Sequence, residues 1–325
     1  MSRPGGAGAV VFSVSRAGDL VSATATFDTL LARHGSLRVV TSPEAAPLLA
    51  GDDRLDGVEA VAATSALGWR TAVLGHVARA RRAGRVVANL EVYQPRWRFV
   101  RRLARLAALP GYALDLPGWR AEEGSDGPVR HVAEFYAAAL GLEEVPPPRL
   151  RPGPAARGAV DDALRDLGLP ADAPVVVMHP GSHPGWTAKR ADPAVFVAVA
   201  RAAVHLGGVR VILVGSRAEE ELCRDLAREA GVGDGVASLA GALGLGALPE
   251  LIRRAHLFVG NDSAPLKVAE AVATRTVSLW TATSPSRLAP RGDGHRAFPG
   301  DARPAEVAEA ALALLASSRG ETHGA

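Results

Sequence analysis

Apolar residues along this chain fall in short unbroken runs, each followed by a longer stretch in which they recur at helical spacing. Residues 9–14 (AVVFSV) form such a run, and residues 19–34 (DLVSATATFDTLLARH) follow it with the spacing of a helix. A short, continuously apolar and β-branched run suits a strand buried on both faces of a parallel sheet. The runs at 36–42 (SLRVVTS), 57–61 (GVEAV) and 84–90 (GRVVANL) predict further strands between helical segments. This alternation is the rhythm of a doubly wound α/β sheet.

The pattern stops at residues 143–159 (EEVPPPRLRPGPAARGA), where Pro146, Pro147, Pro148, Pro152 and Pro154 are expected to exclude regular secondary structure and mark a linker. It resumes with strands predicted at 173–182 (APVVVMHPGS), 208–216 (GVRVILVGS), 256–262 (HLFVGND) and 275–280 (RTVSLW). An amphipathic helix is expected over 303–318, followed by a frayed polar tail at 319–325. The expected organisation is therefore a domain over 1–150 and a second over 158–302, with the 303–318 helix packing back across the cleft between them. Sheets of this kind bind ligands at the carboxyl ends of their strands.

Composition narrows the class. The chain has 325 residues, 48% of them apolar and 22% charged, which suits a soluble globular protein with a sizeable core. Its formal net charge is +3, and its aromatic content is only 5%. Without a concentrated basic stripe interleaved with aromatics, a nucleic-acid partner is not expected. Cys223, in the helical pattern EELCRDLA, is the only cysteine, so an intramolecular disulfide is excluded and a small, semi-buried apolar role is expected for it. The first apolar run is too short for a signal peptide and no later run reaches spanning length, so the cytosol is the expected compartment.

Candidate chemistry is sought where strands hand over to helices. Gly18 and Asp19 follow the first strand, and Asp19 at a helix start reads first as a routine cap, with a group facing a ligand as the sharper alternative. Gly181, Ser182 and Lys189 lie in the loop GSHPGWTAKRADP, which could hold a phosphate through backbone donors and one point charge. Glu219 opens the helix after GVRVILVGS and could accept ribose hydroxyls or simply face the helix dipole. In GNDSAPLKVAEA, Ser263, Ala264, Pro265 and Leu266 form a first helical turn with unpaired N–H groups. Asp262 precedes that turn, and Lys267 follows on the face of Ser263. The glycine-rich dinucleotide fingerprint and the phosphate-binding P-loop pattern are both absent, which argues against a nicotinamide dehydrogenase and a P-loop NTPase.

These motifs, in this order, resemble glycosyltransferase family 9, the ADP-heptose:lipopolysaccharide heptosyltransferases and their relatives. The segments SRAGDLVSATATFDTL, HPGSHPGWTAKRADPAVF and SLAGALGLGALPELIRRAHLFVGNDSAPLKVAEAV carry the similarity, with weaker matches in RHVAEFYAAALGL and LAGDDRLDGVEAV. The resemblance implies an α/β chain of GT-B fold, two doubly wound Rossmann-like domains facing a central cleft. It further implies an inverting, metal-independent transfer without a cofactor, from a nucleotide-sugar donor, ADP-heptose first, to a glycan, glycolipid or small natural-product acceptor.

By the same resemblance Asp19 matches the general base, Lys189 the diphosphate-binding lysine and Glu219 the ribose-binding acid. Asp262 and Ser263 match the pair at the donor sugar and phosphates, Ser182, Ala264 and Pro265 lie in the same donor motifs, and Leu243 falls where the backbone meets adenine. The chain departs from the family at Ala191, where a tryptophan is usual, and at Ala264 and Lys267, where glycine and histidine are usual. The expectation for Lys267 is a full charge added to the leaving diphosphate. A nucleotide-sugar epimerase and a non-catalytic nucleotide-sugar binding protein are the alternatives. Arg96, Arg98, Arg101, Arg102 and Arg105 in RWRFVRRLARL read as a solvated helix face, with contact to an acceptor phosphate or a membrane surface as the sharper alternative.

Overall fold

The computed structural model describes residues 8–14, 16–61, 66–90, 111–114, 129–170 and 173–321, in two compact units, Met1–Arg151 and Pro152–Ala325. The arginine-rich stretch at 96–105 lies outside the described residues.

In the first unit, β1 (Ala9–Ser13), β2 (Leu37–Thr41), β3 (Gly57–Ala60), β4 (Val86–Asn89) and β5 (Gly111–Ala113) form one sheet in the order β3-β2-β1-β4-β5. Every neighbouring pair is parallel. Val10, Phe12 and Val14 alternate onto one face of β1 and its extension, where they share a core with Val73, Val77 and Ala80 of helix α3 (Ala66–Arg82).

The stretch expected as one helix over 19–34 is divided into α1 (Ala17–Ala23), a 3-10 turn over Thr24–Thr26, and α2 (Phe27–His34). The buried hydroxyls of Thr24 and Thr26 donate to the carbonyls of Val21 and Ala23, three residues back, at 2.6 and 2.8 Å. Such local bonds compete with the α-helical ladder and tighten the turn. Thr24 Oγ1 also accepts from the Arg149 amide at 2.9 Å, and buried Arg54 donates to the Arg149 carbonyl at 2.7 Å while pairing with Asp52. The proline-rich segment is thereby fixed to the first unit as far as Arg151, which reaches Asp53 at 2.8 Å.

After α4 (Val132–Leu140), the chain has no regular structure from Glu143 to Gly153, and α5 (Pro154–Asp166) then begins inside the stretch read as linker. Pro154 occupies the first helical turn, where no N–H partner is required and the fixed φ suits a helix. Proline density is therefore a poor guide to where this connection ends.

The second unit holds β6 (Val175–His179), β7 (Arg210–Leu213), β8 (Val236–Ser238), β9 (Leu257–Asn261), β10 (Thr276–Trp280) and β11 (His295–Pro299), in the order β11-β10-β9-β6-β7-β8. All five neighbouring pairs are parallel. Its helices are α6 (Pro193–His205), α7 (Glu220–Ala230), α8 (Leu248–Arg254), α9 (Ala264–Ala271), α10 (Pro285–Leu288) and α11 (Pro304–Glu321).

Alternate strand residues Val176, Met178, Val259, Val277 and Leu279 join Val195, Val199, Val307, Ala311 and Leu314 in one apolar cluster. α11 lies against α6 in this unit and runs past Ser318 to Glu321. Cys223 on α7 is fully buried in the same cluster. Among the described residues no helix is long and apolar enough to cross a membrane.

Candidate functional site

Strand order in the second sheet reverses between β6 and β9, because the chain proceeds from β6 toward β7 and β8 and then returns to β9 on the opposite side. At such a reversal the loops leaving the two strands diverge and open a crevice at their carboxyl ends. β6 ends at His179, whose register partner on β9 is Gly260, followed at once by Asn261, Asp262 and Ser263. Most of the candidate residues meet at this edge.

Asn261 is fully buried and ties the loops together: its side-chain amide donates to the carbonyls of Pro180 and Gly181 at 2.8 and 3.1 Å, and its Oδ1 accepts from the Ala191 amide at 3.0 Å. Between those anchors the chain makes a 3-10 turn over Pro184–Lys189, carrying Trp186, which is 39% exposed. Lys189 Nζ reaches Asp262 Oδ2 at 2.5 Å and lies 5.6 Å from the centre of the Trp186 ring. The same Asp262 oxygen accepts from the Thr283 hydroxyl at 2.8 Å.

A second chain of contacts runs beside the first. Ser263 is the N-cap residue of α9, yet its hydroxyl does not cap the helix; it lies 3.1 Å from His179 Nδ1 and donates to the Asn261 carbonyl at 3.2 Å. The first-turn amides of α9 therefore receive no help from Ser263, a disposition that favours an anion at the helix start. His179 Nε2 stands 3.7 Å from Glu219 Oε2, an ion-pair distance too long for a hydrogen bond. The same Glu219 oxygen accepts from the Ser216 amide at 2.7 Å and the Ser216 hydroxyl at 2.8 Å, completing a capping box.

Burial would raise the Glu219 pKa, but interaction with His179 and the two Ser216 donors outweigh it and hold the carboxyl at about 2. Its other oxygen, Oε1, is buried, makes no hydrogen bond and lies 3.9 Å from Arg190 Nη2. Gly181 is needed here, since a Cβ at that position would run into the Glu219 carboxylate. Arg190 also donates to Ser182 Oγ at 3.2 Å, and Ser182 donates to the Trp186 carbonyl at 3.0 Å.

Ser182, Lys189, Glu219, Asp262 and Ser263 are thus linked through side chains of a single edge, with Ala264 and Pro265 in the turn that follows. Leu243 lies on the loop after β8, half-buried, its amide donating to the Leu239 carbonyl at 3.2 Å. Lys267 does not extend into solvent. It is 5% exposed, its ammonium donates to the Leu288 carbonyl, and Glu270 Oε2 lies 3.7 Å away. Asp19 belongs to the first unit, where it sits half-buried in the first turn of α1 after β1, the strand at which that sheet's order reverses. Its carbonyl accepts from the Tyr136 hydroxyl at 3.4 Å.

Sequence reasoning did not single out Thr283, Asn261, Arg190 or Ser216. Only Ser216 left a local signal, the Ser-x-x-Glu spacing of a capping box with Glu219. The others act over 70 positions or with partners whose register only the sheet defines.

A model of glycosyltransferase family 9 (heptosyltransferase) matches residues 127–309, more than half of the chain and all of this edge. The chain belongs to glycosyltransferase family 9. Solved structures agree with the family assignment at the level of fold. The family 9 glycosyltransferase of Veillonella parvula DSM 2008 is 17% identical, with 95% of this chain and 97% of that one covered and a TM-score of 0.77. For the ADP-heptose LPS heptosyltransferase II of E. coli the identity is 21%, the coverage 96% and 99%, and the TM-score 0.73. The E. coli heptosyltransferase WaaC, solved with ADP, is 18% identical over 95% and 99%, with a TM-score of 0.58. The two parallel sheets of this family 9 member are those of GT-B heptosyltransferases. No curated protein sequence matches the chain.

Proposed function

We propose that this family 9 glycosyltransferase is an inverting enzyme that moves a sugar, heptose first, from an ADP-linked donor to an acceptor hydroxyl. The observation that carries the reading is the Lys189–Asp262 pair at 2.5 Å beside the uncapped start of α9. An ammonium has three N–H donors, so Lys189 can keep Asp262 and still meet phosphate oxygens. On this reading Lys189 and the amides around Ser263, Ala264 and Leu266 take the diphosphate, with Pro265 shaping the turn and Ser182 on its rim. Asp262 faces the donor sugar, Glu219 the ribose, and the Leu243 carbonyl the adenine. Relatives solved with ADP and with ADP-2-deoxy-2-fluoro heptose give the donor to test first.

The transfer then follows from charge. The Asp19 carboxylate takes the acceptor proton as the acceptor oxygen bonds to the anomeric carbon from the face opposite the leaving group. The bond from that carbon to the diphosphate breaks, and ADP leaves with the electron pair, stabilised by Lys189 and the helix start. Positive charge is supplied at the leaving group by the protein, so transfer or slow hydrolysis of ADP-heptose should proceed in EDTA. Calorimetry with ADP and adenosine tests the site: Lys189→Ala should weaken ADP binding roughly 10- to 100-fold, the scale of a charge-assisted hydrogen bond, and adenosine binding far less. Equal losses for both ligands would remove Lys189 from the phosphates.

A further inference from the structure

The chain that leaves β10 passes through Thr281, Thr283 and α10 to Ala289, and side-chain bonds secure it at three places. Thr281 Oγ1 donates to the Ala188 carbonyl at 2.5 Å, joining it to the turn that carries Lys189. Thr283 Oγ1 donates to Asp262 Oδ2 at 2.8 Å. Lys267 Nζ donates to the Leu288 carbonyl at the end of α10. The lysine and Glu270 side chains are 6% and 8% exposed, so the ammonium and carboxylate depend on each other and on that carbonyl in place of water. A shorter or neutral side chain at 267 would leave the carbonyl unmet and the Glu270 charge uncompensated.

We propose that Lys267 is a positioning residue that sets the 281–289 segment, through which Thr283 fixes the carboxylate of Asp262. The inference rests on the donor-site reading above and deepens it. Two donors, Lys189 and Thr283, converge on Oδ2. They fix the rotamer of Asp262 and leave Oδ1 to meet a sugar hydroxyl. Lys267 therefore acts on recognition of the sugar, while the nucleotide is held by other groups of the edge. This gives the departure at position 267 a role that a full charge on the diphosphate does not require.

The test is calorimetric titration of ADP and ADP-heptose into the full-length wild type, Thr283→Val, Thr283→Ser, Lys267→Arg and the charge-matched Lys267→Met/Glu270→Gln protein, alone and combined with Thr283→Val. Thr283→Val should lower the ratio of ADP-heptose to ADP affinity roughly tenfold, the scale of one hydrogen bond to a charged group, with ADP affinity itself little changed. Thr283→Ser and Lys267→Arg should retain most of the ratio. The Lys267→Met/Glu270→Gln protein should lower it as Thr283→Val does, and the combination should be no worse than Thr283→Val alone, because both act through one contact. Additive losses, equal weakening of both ligands, or a wild-type ratio in Thr283→Val would overturn the proposal; if the 267/270 variant does not fold, a wild-type ratio in Thr283→Val still overturns it. A wild type that binds neither ligand would remove the donor-site reading and this inference with it.

Discussion

Glu219 remains ionised although buried, because the Ser216 amide and hydroxyl and the nearby His179 favour the charge more than burial opposes it. Its folded pKa of about 2 lies below the ordinary 4.5, so it stabilises the fold fully above the ordinary value and loses that contribution as pH falls toward about 2. Glu219→Gln should be less stable than wild type at neutral pH, with the gap closing across that acidic window in urea melts. A gap independent of pH would show that the carboxylate charge is not what matters. Asp19 poses the opposite case, a half-buried carboxylate proposed for chemistry. Asp19→Asn should keep ADP binding and lower turnover roughly 10²–10⁴-fold, the range for losing a general base, whereas near-normal turnover would reduce Asp19 to a helix-start residue. The strand-end positions of Asp19, Lys189, Glu219 and Asp262 were legible in the sequence, since each follows an apolar run. The network among them was not: Thr283 meets Asp262 only because β10 lies beside β9, and no local pattern encodes that adjacency.

Among the elements, the central strands were readable because burial on both faces requires continuous apolar runs, as in β6, β9 and β10. Of the edge strands only β3 was, through the run at 57–61. β8 has three residues, and β11, with the sequence HRAFP, is half-exposed, so neither needs an apolar run to pair. β5, also three residues long, escaped for the same reason. The division of the first helix was hidden by its unbroken helical spacing, and the threonine hydroxyls that tighten it act only once buried. At the end of α9, Thr274 donates its amide to the Ala269 carbonyl at 3.0 Å, and Ala273 between them is left-handed at φ 59°. Helices commonly end this way on glycine, because a Cβ is strained there by roughly 1–2 kcal/mol. Ala273→Gly should therefore raise stability by about 0.5–1 kcal/mol without altering ADP affinity, and a fall in melting temperature would contradict the assignment of strain.

At the scale of the whole molecule, each unit builds its own parallel sheet and its own core, which is why the strand-helix rhythm could be read twice along 325 residues. The second of these cores contains the chain's only thiol. Cys223 is fully buried, its Sγ donates to the Val214 carbonyl at 3.8 Å, and burial, aided by the Glu219 charge, pushes its pKa up to about 12. The native protein should accordingly resist thiol reagents at neutral pH, and labelling should proceed only from molecules whose second core has opened. ADP at about 100 times its dissociation constant should slow labelling by about 100-fold, because binding depletes the open population by that factor. Labelling at the rate of an unfolded thiol would contradict the burial, and labelling indifferent to ADP would contradict the site. A cysteine with no part in the chemistry thus serves as a built-in clock, ticking once for each opening of the core beneath the candidate site, and any nucleotide sugar can be screened by how far it slows that clock.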